Sequence, residues 1–180
     1  MHAAGLAGTD RAAIRTARLL LRPIGAEDVE GLVHFLSDPA IAYWLSFVPR
    51  AFGPEEAHAI ITDFHRSGAL VWAIERDGRL LGHIGIGDEL GYWLAPDAWG
   101  EGIATEAARA AIARHFEIGR GRIRAGVDPE NHRSARVLER LGFERTAVEW
   151  TWFASREKAC RRILMDLEPA RWPRVTLAAQ

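Results

Sequence analysis

One stretch constrains this 180-residue chain more than any other: Glu89-Leu90-Gly91-Tyr92-Trp93-Leu94-Ala95-Pro96-Asp97-Ala98-Trp99-Gly100-Glu101-Gly102-Ile103-Ala104-Thr105-Glu106-Ala107, continuing to Ala113. It reads as strand, short loop, helix. The bulky residues of its first part suit a pleated, half-buried surface. Pro96 cannot donate to a ladder and ends the strand. From Ile103 onward, Ala104, Ala107, Ala108, Ala111, Ile112 and His115 recur at spacings of three and four, one apolar stripe of a helix. Thr105, Glu106 and Arg109 fall on the other side.

Gly100 and Gly102 sit between strand and helix. Without a Cβ they let another group approach the main chain. The first amides of a helix have no intrahelical partner, and the helix dipole adds partial positive charge there. Such a start can seat a phosphate or pyrophosphate. An ordinary strand-to-helix turn with two glycines reads equally well. A P-loop would need Gly-Lys-Ser/Thr, which does not follow. A dinucleotide fingerprint would need a third glycine or alanine where Thr105 stands. It would also need an acidic residue about 20 positions on, and Arg120 to Arg124 is basic instead.

The flanking sequence alternates strand and helix patterns. Arg18 to Pro23 reads as a strand, Ala26 to Ser37 as a helix, and Ile41 to Phe52 as an irregular aromatic link. Pro54 opens a second helix at a position that tolerates proline. Leu70–Glu75 and Leu80–Ile86 are strands joined by Asp77-Gly78, a strong hairpin signal. After the central unit come a strand over Arg122–Asp128 and a helix over His132–Leu141, with Asn131 as N-cap and Gly142 at its end. Two long strands follow, Phe143–Phe153 and Ala159–Leu167, with Ser155-Arg156-Glu157-Lys158 as a polar turn. This order predicts an α+β fold: a mixed, mostly antiparallel central sheet of about seven strands with helices on both faces. Residues 1–14 read as a flexible leader, 15–168 as a single domain and 169–180 as a tail.

Composition narrows the function. Lys plus Arg is 23 against 24 Asp plus Glu. This balance argues against a dedicated nucleic-acid or membrane-surface binder. The single cysteine, Cys160, excludes an internal disulfide and favours a reducing, cytoplasmic setting. No apolar run approaches the ~20 residues of a membrane span. The seven histidines show no metal-ligand spacing, so no metal is expected. Monomer and homodimer are both compatible with the sequence.

The run Gly91-Tyr92-Trp93-Leu94 followed by Trp99-Gly100-Glu101-Gly102-Ile103-Ala104-Thr105-Glu106-Ala107 resembles the GNAT superfamily of acyl-CoA N-acyltransferases, over roughly Arg18 to Glu168. It is most similar to the subgroup that acetylates the N-termini of ribosomal proteins. The family's pyrophosphate loop, Gln/Arg-x-x-Gly-x-Gly/Ala, is matched by Trp99 to Ala104, with Trp99 departing from the usual Gln or Arg. The resemblance implies a GNAT fold whose strands splay at the acyl-CoA site. It implies acetyl-CoA as co-substrate, held by Trp99, Gly100, Glu101, Gly102, Ile103, Ala104 and Thr105, by the backbone of Tyr92, Trp93 and Leu94, and by Asn131 at the pantetheine arm.

The resemblance also implies Glu89 as the base for the amine proton; strand alternation sets it on the same side as Gly91. Ser134 matches the subgroup's serine and shares a helix face with Val137, Leu138 and Leu141. It is the candidate acid for the leaving sulfur, where many relatives use a tyrosine at the position of Leu138. Tyr43, Trp44, Trp150 and Trp152 are expected to line the acceptor cleft. Arg120, Arg122 and Arg124 could reach the cofactor's ribose phosphate, but read first as solvated charges. The acceptor is an amine, either a protein N-terminus or a small molecule of aminoglycoside or polyamine type. An acyl-CoA sensor without catalysis is the reading from another class.

Overall fold

The computed structural model describes residues 11–172. The expected leader and tail therefore lie outside the described residues except at 11–14 and 169–172. Those ends are tied to the fold. Ile14 pairs with Leu21, Arg11 donates to the Phe64 carbonyl at 2.9 Å, and Trp72 Nε1 donates to the Ala12 carbonyl at 3.1 Å. Pro169–Arg171 forms a single 3-10 turn, after which Trp172 packs on Phe116.

The elements in chain order are β1 (Ile14–Arg15), β2 (Leu20–Pro23), α1 (Val29–Leu36), α2 (Pro39–Ala42), α3 (Pro54–Arg66), β3 (Leu70–Arg76), β4 (Arg79–Ile86), β5 (Leu90–Leu94), α4 (Ile103–Glu117), β6 (Ile123–Val127), α5 (His132–Arg140), β7 (Glu144–Phe153) and β8 (Lys158–Leu167). Local chemistry sets most of the boundaries. Asp77 and Gly78 both take positive φ, the geometry of a tight hairpin between β3 and β4. Gly53 N donates to Glu56 across the first turn of α3. Asp38 accepts from Ala40 N at 2.8 Å and starts α2, a short helix that runs into the start of the aromatic link.

The strands form two sheets rather than one, in the orders β1-β2-β3-β4-β5 and β6-β8-β7, with every ladder antiparallel. The division falls between β5 and β6. These strands are joined through α4, a crossover of the kind that connects parallel neighbours, yet no ladder links them. This is the splay the resemblance implied. Tyr92 and Leu94 face a core shared with α4 and α5, whose centre includes Ala107, Ala111, Ile112 and Leu138. Trp93 faces a second core built on α1 to α3, with Leu32, Leu36 and Ile61. Arg22 braces that side, gripping the buried Asp28 at 2.7 and 2.9 Å and Glu75 at 2.8 Å. Among the described residues, no helix is long and apolar enough to cross a membrane.

Candidate active site

The loop before α4 has the form its glycines suggested. Gly100 has φ +82° and Gly102 φ +79°, both left-handed values that favour glycine. Gly102 is the N-cap of the 15-residue α4. The first bond of that turn runs from Glu106 N to the Gly102 carbonyl, so the amides of Ile103, Ala104 and Thr105 precede it and have no helical acceptor. A Cβ at Gly100 would meet open space. The loop is braced from behind: Arg18 donates to the Glu101 carbonyl at 2.9 Å and to Glu106 at 2.7 Å, and Arg76 pairs with the Glu101 carboxylate at 2.6 Å. Burial alone would raise the Glu106 carboxyl, but bonds from Thr16 and Arg18 hold it below its ordinary value.

Trp99 turns inward. Its Nε1 donates to the Leu94 carbonyl at 2.8 Å, which fastens the loop to the end of β5. Arg133, in the first turn of α5, lies over the Trp99 ring at 5.2 Å. This cation beside the loop was not expected from the sequence. Arg122 and Arg124 are instead paired with the buried Asp166 at 3.1 and 3.0 Å, and Arg120 donates to the Gly68 carbonyl.

Across the β5/β6 gap, Asn131 Oδ1 accepts from Ser134 N at 3.1 Å, the cap expected of it. The Tyr92 hydroxyl donates to Ser134 Oγ at 3.0 Å. Tyr92 was expected to act through its backbone; its side chain is what reaches α5. Burial pushes its phenol above the ordinary value, and the bond to Ser134 opposes this only in part. Leu138 is buried in the core.

Glu89 lies on the other face of β5. It lines a cavity of about 490 Å³ walled by the Trp44–Phe47 segment, the end of α3 and Phe153. Its floor follows from the register. His83 pairs with Trp93, and Gly85 with Gly91, so backbone without side chains lies between the Glu89 end and a wall of two aromatic rings. A Cβ at Gly91 would meet nothing within 4 Å. Glu89 is ion-paired with Arg162, a residue of β8 that the sequence did not single out.

The four aromatics expected around the acceptor are not all brought together. Trp44 lines the cavity. Tyr43 lies under the Arg156 guanidinium, 3.7 Å from its ring centre. Trp150 and Trp152 are 70% and 61% exposed. Alternation along β7 puts them on the face opposite Glu149, Thr151 and Phe153, and it is that opposite face that meets Arg162 and the cavity. Arg156, expected in a polar turn, has its side chain buried. It pairs with the buried Asp128 at 2.7 Å and donates to the Tyr43 carbonyl at 2.7 Å. Ala154 N adds a bond to the Ser46 carbonyl. The β7–β8 tip therefore holds the Trp44–Phe47 wall.

His83 is 6% exposed, and its Nδ1 has no partner among the described residues. Desolvation pulls its pKa down to about 4, with Asp28 opposing. The folded protein thus keeps the ring neutral, while the unfolded chain protonates it near pH 6.5. Stability is fully present above that pH and falls as the pH drops towards 4. A shift of this size amounts to about 3 kcal/mol. Urea unfolding at pH 7, 5 and 4 is expected to show that loss, and His83→Leu is expected to flatten it. The same slope in both proteins would remove His83 as its source. His115, also lowered by burial, contributes in the same direction in both.

The splayed strands and the glycine-lined helix start beside them are the architecture the GNAT resemblance implied. Residues 18–144 match the family described as Acetyltransferase (GNAT) domain, and the chain belongs to it: it is a GNAT N-acetyltransferase. Among curated relatives, it is 28% identical over 147 residues to the uncharacterized N-acetyltransferase p20 of Bacillus licheniformis, covering 74% of this chain and 83% of that one. Among solved structures, RimJ of Mycobacterium smegmatis in complex with a CoA disulfide superposes with a TM-score of 0.76 at 24% identity, over 86% of this chain and 84% of RimJ. The ribosomal-protein-S5-alanine acetyltransferase of Vibrio fischeri gives 0.74 at 20% identity, over 89% and 98%. At these identities the two structures share the fold.

Proposed function

We propose that the protein transfers the acetyl group of acetyl-CoA to a primary amine at a protein or peptide N-terminus, by direct attack. The observation that carries this reading is the cavity of about 490 Å³ on one face of β5, with Glu89 at the edge of the β5/β6 splay and Ser134 across the gap. Acetyl-CoA supplies the activated acetyl group. The amides at the start of α4, beside Gly100 and Gly102, suit its diphosphate. The open edges of β5 and β6 suit its pantetheine arm. An ammonium entering the cavity gives its proton to Glu89. The neutral amine attacks the thioester carbonyl; the new N–C bond forms as the C–S bond breaks, the thiolate takes the proton of Ser134 Oγ, and the second proton, released by the new amide nitrogen, restores the Ser134 hydroxyl. Tyr92 donates to Ser134 Oγ, which leaves the serine's own proton directed elsewhere, and the raised Tyr92 phenol keeps its proton at neutral pH.

The cavity admits a residue or two of an extended chain end. Its volume also falls within the range of small-molecule sites, ~300–1,000 Å³, which supports the second reading of a small amine. Thiol release from acetyl-CoA is expected with peptides beginning in alanine or serine. It is expected to be weak with spermidine and kanamycin. Turnover confined to the small amines would replace the acceptor with a metabolite, and no turnover with any of them would overturn the reading.

A further inference from the structure

Arg162 lines the cavity with a side chain only 11% exposed. It sits on β8, two strands from Glu89, with β6 between. Its guanidinium reaches over β6 to pair with Glu89 Oε2. A second nitrogen donates to Glu149 Oε1 at 3.2 Å and to Thr151 Oγ1 at 3.5 Å. Thr151 also donates to Glu149 at 2.8 Å. The path over β6 exists because Gly126 stands there: a Cβ at that position would collide with Nη2, Cζ and Nε of Arg162. Gly126 has ordinary backbone dihedrals, so what the site requires is the missing side chain rather than an unusual φ.

The position of this bridge matters. Between β5 and β6 no main-chain ladder fixes the strands, and Glu89 precedes the first residue of β5. The carboxylate would swing freely there without a tether. Arg162 supplies one, and is itself fixed on its other side by Glu149 and Thr151 on the neighbouring strand.

We propose that Arg162 is a positioning residue for the acetyl transfer. Its fork holds one oxygen of Glu89 and aims the rest of the carboxylate into the cavity, with Gly126 providing the opening through which it acts. The inference rests on Glu89 taking the amine proton. Arg162 itself transfers nothing; it determines whether Glu89 is where the amine arrives.

A double-mutant cycle tests this, using thiol release from acetyl-CoA with whichever peptide or amine of the panel above turns over fastest. Calorimetric acetyl-CoA affinity serves as the folding control. Arg162→Gln is expected to lower kcat by about 10- to 100-fold, the order that a misplaced reacting group produces, with acetyl-CoA affinity unchanged. Arg162→Lys, a point charge without the fork, recovers part of the loss. Gly126→Ala is expected to reproduce the Arg162→Gln defect without altering any charge. In a Glu89→Gln background, Arg162→Gln is expected to change kcat by less than about 3-fold, because coupled residues are not additive. Full additivity, or wild-type kcat in Arg162→Gln and Gly126→Ala, overturns the positioning role while leaving Glu89 as the base. If Glu89→Gln alone has wild-type kcat, the base assignment fails and this inference fails with it. Absence of turnover across the panel removes both.

Discussion

Glu89→Gln is expected to lower kcat by about 100-fold or more, within the range a positioned proton acceptor contributes, equivalent to ~2.7 kcal/mol or more of barrier. The amide keeps the size and one acceptor oxygen but cannot take a proton at neutral pH. Acetyl-CoA affinity is expected to stay near wild type, because Glu89 lies on the cavity face of β5, away from the α4 loop. The substitution also breaks the pair with Arg162, so a mild drop in stability accompanies it. The loss stays mild because Arg162 keeps Glu149 and Thr151 as acceptors. Steady-state thiol release and calorimetry separate the two effects. A kcat within about 3-fold of wild type between pH 6 and 9 would remove Glu89 from the mechanism, since that loss is far below what proton transfer supplies.

The second large effect is structural. Arg156→Met is expected to destabilise the fold by about 3–5 kcal/mol, the range for breaking a buried ion pair from one side. Asp128 would be left ionised and buried with only Glu130 N as a donor. The Tyr43 carbonyl would lose its bond, and the rings of Tyr43 and Phe153 would lose the cation at 3.7 and 4.5 Å. Replacing both partners, Arg156→Met with Asp128→Asn, is expected to recover much of the loss, because no uncompensated charge remains. Urea unfolding of the two variants decides the matter. A single-variant loss below ~1 kcal/mol would mean that the pair behaves like an exposed one. Because Arg156 holds the Trp44–Phe47 wall, the single variant is also expected to raise the KM for the acceptor more than that for acetyl-CoA.

What the sequence discloses here is what neighbours along the chain decide together. The α4 unit was legible because its strand end, glycines and apolar stripe lie within one short segment. Asn131 was legible as a helix cap because a cap involves residues three apart. Trp150 and Trp152 were misplaced because alternation shows that two residues share a face, not which face meets the site. Exposure on an edge strand looks the same as a wall of a cleft. Arg162 and Arg156 were missed for a different reason. Their partners Glu89 and Asp128 lie 73 and 28 residues away, and in the run Cys160-Arg161-Arg162 nothing local marks which arginine turns inward. Gly126 carries no signal either, since the need for it arises from a side chain on another strand. Position along the sheet, rather than residue type, made these groups part of the site.

The handedness of the chain at Gly100 and Gly102 bears on how this protein can vary. Those two positions serve through torsion angles rather than through functional groups, so every replacement that brings a β-carbon is penalised, however conservative its chemistry. Glu101 between them, held by a surface ion pair with Arg76, carries no comparable restriction. A saturation library across this loop would therefore show two intolerant columns flanking a permissive one, a pattern dictated by stereochemistry.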